Sequence, residues 1–198
     1  MDNREINLRE YANQFWTELS QALWVTTPTL EYLPILFALP HGEHGKEYGV
    51  THTHINTKTN ISSVYPVIYL HQNRTNEEIM ATIRHEVIHY LLATQYVCHG
   101  DNSALFWLIC DLFNGGAYCP MNEHNRKVYE IAKPYFEEIF KLYVESKGVS
   151  IAINISLMMT TVDVAISSEE ENIDFRKLES DLHLCLNAAK QMTRNQRA

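Results

Sequence analysis

Leu8, Tyr11, Phe15, Leu19 and Leu23 recur at three- and four-residue intervals, so residues 5–24 predict a helix with one buried stripe. Pro28, Pro34 and Pro40 then punctuate a short apolar run, Leu33–Leu39, which predicts a strand between turns. His41-Gly-Glu-His-Gly45 predicts a turn. Tyr48–Asn56 and Ile61–Leu70 are rich in Val, Ile, Thr and Tyr, and predict two further strands joined by a polar connection. Pro66 cannot donate to a ladder, which places it at an edge or a bulge.

The period then changes. Thr75-Asn-Glu-Glu78 has capping-box spacing, and a helix should follow to about Thr94 with Ile79, Ile83, Val87, Tyr90 and Leu91 buried. A second helix is expected over Asn102–Phe113, stopped by Asn114-Gly-Gly116. Asn125–Lys147 predicts a third, bent or interrupted at Pro134. Ile151–Ile166 fits strand alternation and helical spacing equally. Ser167–Glu171 reads as an acidic connector, and Ile173–Met192 as a last helix. Strands followed by a run of helices predict an α+β class.

Composition narrows the function classes. Sixteen basic residues against twenty-four acidic ones give a net charge of −8. That balance leaves room only for weak, salt-dependent contact with DNA, because phosphate binding needs a cationic face. The basic cluster Lys190–Arg197 reads as a fraying terminus. Cysteines at 98, 110, 119 and 185 form no C-x-x-C pair, which excludes zinc ribbons and thioredoxin-like redox motifs. No signal peptide is visible at the charged start, and Leu33–Leu39 is far too short to cross a bilayer. A cytoplasmic protein with free thiols and no membrane contact is the expectation.

His85-Glu86-Val87-Ile88-His89 is an H-E-x-x-H motif within the helix predicted after Thr75. Four residues of helix leave the two imidazoles about 40° apart on one face, so both can reach one ion. Glu86 projects from the edge of that face, placed for general base and acid work on a zinc-activated water. Zinc suits two imidazoles, a third protein ligand and one open position.

The stretch Ile83–Gly100, with the aromatic pair Phe106-Trp107 beyond it, resembles the SprT-like zinc metallopeptidases, the group that includes Spartan-type DNA–protein crosslink proteases. The resemblance covers about residues 30–120. It implies a minimal zincin-like domain over residues 1–124, with a small twisted sheet and the H-E-x-x-H helix. Residues 125–198 would be a mostly helical extension packed on it. The implied activity is zinc-dependent endoproteolysis of a polypeptide substrate, with Glu86 catalytic and the strand Ile61–Leu70 as the edge that receives the peptide. Two alternatives stand beside it: a catalytically silent zinc-containing interaction module, and a DNA-associated crosslink-repair protease.

In that family a histidine, usually followed by glycine, supplies the third ligand about four residues before an aromatic. His99-Gly100 offers the pair, but Phe106 lies seven residues on, and counting back four reaches Asn102. His85, His89 and His99 are therefore the expected zinc ligands, with Asp101 as an oxygen-donor alternative and a degraded site as a third outcome. His52 and His54 share a strand face and read as solvated, as do His41 and His44 in their turn. Trp16, Trp24 and Trp107 read as core residues.

Overall fold

The computed structural model describes residues 3–24, 33–40, 47–56, 61–96, 98–116, 119–168 and 173–197. Within them the chain forms α1 (Asn3–Ala22), β1 (Leu36–Ala38), β2 (Gly49–Asn56), β3 (Ile61–Tyr69), α2 (Asn76–Gln95), α3 (Ala104–Phe113), α4 (Glu123–Ser146), α5 (Val149–Ser167) and α6 (Phe175–Arg197). This is a mixed α+β fold, mostly helical, with one small sheet. The turn expected at His41–Gly45 and most of the connection between β2 and β3 lie outside the described residues.

Sheet order is β1-β3-β2, with β1 parallel and β2 antiparallel to β3. The strand expected to be the receiving edge, β3, is therefore flanked on both sides where β1 pairs with Val67–Tyr69. Among the described residues β1 and β2 are the edge strands, and β2 is the longer one, beside α2. Tyr69 N–H donates to Tyr48 O at 3.0 Å, while Leu70 N–H donates to Ala38 O at 2.8 Å on the other side. Alternation along β2 then sends the backbone groups of Gly49, Thr51 and Thr53 outward, away from β3. Pro66 faces Thr51 across the ladder and points its nitrogen towards the β1 side, one residue before β1 pairing begins, so no ladder bond is lost there.

The α2 cap forms as its sequence predicts. Glu78 N–H donates to Thr75 Oγ1 at 3.3 Å, and Thr75 N–H donates to Glu78 Oε2 at 2.7 Å. Asn114 ends α3 in the left-handed region, at φ 57°, as its place before two glycines suggests. α4 runs through Pro134 without a break. The carbonyl of Glu130, deprived of its donor, lies on the exposed face where water can satisfy it.

Helical spacing wins over alternation in α5: Ile151, Ile155, Met158, Met159 and Val162 are buried, whereas Ile153 and Leu157 are exposed. By length and apolarity α5 could cross a membrane, but here its stripe packs against α4 and α6. α6 stays helical through Arg197, with Lys190 Nζ 2.6 Å from Glu138 Oε1 of α4, rather than fraying over its basic end. A single apolar cluster joins Leu19 of α1, Val87 of α2, Phe106 of α3, Phe136 of α4, Met158 of α5 and Leu182 of α6. The helices beyond residue 124 therefore share the core beneath α2.

Candidate metal centre

One turn of α2 separates His85 and His89, and Phe106 of α3 fixes both rings. It stacks on His89 with centroids 4.0 Å apart and meets His85 edge-on at 5.0 Å. Each Nδ1 lies 2.8 Å from a backbone carbonyl, His85 to Gly116 O and His89 to His99 O. A carbonyl only accepts, so Nδ1 carries the proton in both rings and the Nε2 atoms are the ones offered to a ligand. Both Nε2 atoms face a single oxygen, Asp101 Oδ1, at 3.2 Å from His85 and 2.9 Å from His89.

Asp101, not His99, thus joins the two helix histidines. The donor atoms of His85, His89 and Asp101 lie within 4.8 Å of one another, and among the described residues no other three such side chains converge. The reason lies in the turn before α3. Ser103 N–H donates to Gly100 O at 2.9 Å and Ser103 Oγ accepts from Phe106 N–H, so the chain reverses over Gly100–Ser103. Trp107 Nε1–H donates to Asp101 O at 3.0 Å and holds that residue over the histidines. His99 contributes its carbonyl to His89 and remains exposed at the wall of the cleft.

Glu86 is 6% exposed, tucked between α2 and β2. Thr51 Oγ1 donates to its Oε2 at 2.8 Å. Burial pushes the Glu86 carboxyl above its ordinary value, opposed by the Thr51 hydrogen bond and by the neighbouring histidines. The hydrogen bond with His89 and the nearness of both rings hold the Asp101 carboxyl below its ordinary range.

A cleft of about 360 Å³ opens over these groups, lined by Thr51, Thr53, His85, Glu86, His89 and Asp101. A second hollow of about 500 Å³, lined by Tyr48, Arg74, Ala81 and Thr82, lies on the other side of Gly49 and Glu86. Gly49 allows β2 this close an approach: a Cβ there would stand 2.7 Å from Glu86 Cγ and 2.7 Å from Thr82 Cγ2. Gly49→Ala should therefore cost about 1–3 kcal/mol by overpacking. Thermal melts should show the loss, and an unchanged melting temperature would mean that β2 has room to shift.

Three acceptors converge here when the rings are neutral: two imidazole nitrogens and a carboxylate. Such a set lacks a positive partner and could hold a metal ion.

The remaining sequence candidates lie elsewhere. His52 faces the opposite side of the sheet from Thr51 and leans on Tyr65, with centroids 5.6 Å apart. His54 pairs with Ser63, while His41 and His44 lie outside the described residues. Cys98, Cys110, Cys119 and Cys185 are all unpaired. Gly49 and Thr51 were legible only as strand residues, and Trp107, read as core, packs against the core and also holds Asp101. Comparison with known proteins finds no matching family model, no curated relative and no solved structure.

Proposed function

We propose that this chain is a zinc-dependent endopeptidase with a zincin-like arrangement akin to the SprT-like metallopeptidases. His85, His89 and Asp101 hold the metal, and Glu86 acts as general base and acid. The observation that carries this is the convergence of two Nδ1-anchored imidazoles on one carboxylate oxygen, with a buried glutamate from the same helix turn beside them. Zinc, when bound, supplies a Lewis acid that polarises the scissile carbonyl and acidifies water.

The remaining steps belong to the chain's own groups. Thr51 orients the Glu86 carboxylate, and its raised pKa suits it to take a proton from the attacking water and release it to the leaving amine. The outward backbone groups of Gly49, Thr51 and Thr53 offer a ladder to an extended peptide, so β2 rather than β3 is the receiving edge. Strand addition selects an extended backbone more than any side chain, which favours unfolded polypeptide as substrate.

The zinc-loaded protein should cut a denatured polypeptide into fragments with new N-termini detectable by mass spectrometry. Chelation should stop cleavage and zinc should restore it. Wild-type protein that carries one zinc per chain yet yields no more fragments than Glu86→Gln would reduce the site to a metal-organised interaction surface.

A further inference from the structure

We infer that Asp163 of α5 is a positioning residue for the metal centre, anchoring the connection between α2 and α3 so that Asp101 meets His85 and His89. This rests on the metal-site assignment above, and it gives the C-terminal helices a part in the site.

The connection must deliver a carboxylate back over the helix it has just left. α2 ends at Gln95, and Asp101 lies only six residues further on. Residues 98–103 belong to no helix or strand, and their position depends on outside anchors. Those anchors are visible. Cys98 N–H donates to Asp163 Oδ1 at 2.8 Å, across 65 residues of sequence. Tyr96, two residues before Cys98, packs against the apolar core. Ser103 Oγ donates to Cys98 O at 3.1 Å, and Trp107 Nε1–H donates to Asp101 O at 3.0 Å. The ligand is thus held from both sides, by α5 upstream and by α3 downstream.

Asp163 is the one charged side chain in the nineteen residues of α5, and it is only 9% exposed. A buried carboxylate is costly unless it is hydrogen-bonded, and bonds from backbone N–H groups to a charged acceptor are among the stronger ones. Burial and the neighbouring Asp163 carboxylate push the Cys98 thiol up to about 11, so it keeps its proton. An apolar residue would fill the α5 position as well for packing. An acid there serves the segment that carries Asp101.

Partners that orient ligands from behind typically set metal affinity by about 10–100-fold. The test is zinc titration of the full-length protein against a chromophoric chelator, at a temperature where circular dichroism shows every variant folded. Asp163→Ala should weaken zinc binding by about 10–100-fold. Asp163→Asn, which keeps an acceptor oxygen for Cys98 N–H, should recover most of that loss. A merely structural role predicts something else: a lower melting temperature of the metal-free protein with zinc affinity unchanged in Asp163→Ala. That result would overturn the inference, as would Asn failing to rescue. Should Asp163→Ala not fold, Asp163→Leu fills the same buried position without an acceptor for Cys98 N–H; it should weaken zinc binding by about 10–100-fold, and no change would overturn the inference. The metal site itself has a separate readout. If zinc binds wild type and Asp101→Ala equally, the site assignment fails and the inference with it; if Asp101→Ala loses zinc while Asp163→Ala does not, only the positioning role is lost.

Discussion

Glu86→Gln is expected to keep its zinc, lose peptide hydrolysis by about 10²–10⁴-fold, and melt at a higher temperature than wild type in the metal-free state. The first two follow from placement. Glu86 points to the cleft from a buried seat beside the ligands rather than among them, and Thr51 can donate to a glutamine carbonyl as it does to the carboxylate. The third follows from linkage. Burial raises the folded-state pKa of Glu86, so the fold favours the protonated acid. Its contribution to stability is fully present below the ordinary carboxyl range and is lost as pH rises through the raised value. At neutral pH wild type therefore carries a strained carboxylate that glutamine lacks. Melts of the metal-free proteins from acid to neutral pH should diverge upward in favour of the variant. Parallel curves would show that Glu86 is well solvated, and stoichiometric loss of zinc would make it a ligand instead of a base.

Such a trade of stability for chemistry is typical of active sites, where a group is held in the state the reaction needs rather than the state the fold prefers. Gly49 serves the same arrangement without that cost: a Cβ there would collide with Glu86 and Thr82, and glycine lets the strand approach closely enough for Thr51 to reach the carboxylate.

Much of this was legible along the chain, and what was not has a common cause. The α2 cap and the paired histidines are encoded within a few residues of one another, and helical geometry alone converts that spacing into a shared face. The α+β class follows from the change of hydrophobic period near Thr75. Non-local relations were opaque. Nothing local says that the three-residue β1 slots beside β3 in parallel, and that pairing is what removes β3 from the sheet edge. Ligand chemistry along the chain pointed to the His99 imidazole, whereas the turn closed by Gly100 O and Ser103 N–H sets Asp101 facing His85 and His89. α5 was ambiguous because its apolar residues satisfy both periods. One signal was present, since a lone acid in so apolar a stretch must find donors, and Asp163 finds one at Cys98.

Asp101→Ala should empty the metal site, whereas His99→Ala and Asn102→Ala should leave it nearly full. The expectation reverses the order that the sequence suggested, His99 before Asp101. Asp101 Oδ1 is within hydrogen-bonding reach of both ring nitrogens that face the cleft, so removing it takes away a donor atom. Loss of one of three protein ligands should exceed the roughly 10–100-fold typical of residues acting from behind. His99 serves through its backbone carbonyl, which fixes the His89 ring and survives substitution by alanine. Asn102 is exposed in the turn and is a poor ligand type for zinc. Elemental analysis after dialysis against a weak chelator would read the three variants side by side. An empty site in His99→Ala with zinc retained in Asp101→Ala would reverse the assignment: the His99 ring would then have to swing inward when metal binds, displacing the carboxylate that faces His85 and His89 in this structure.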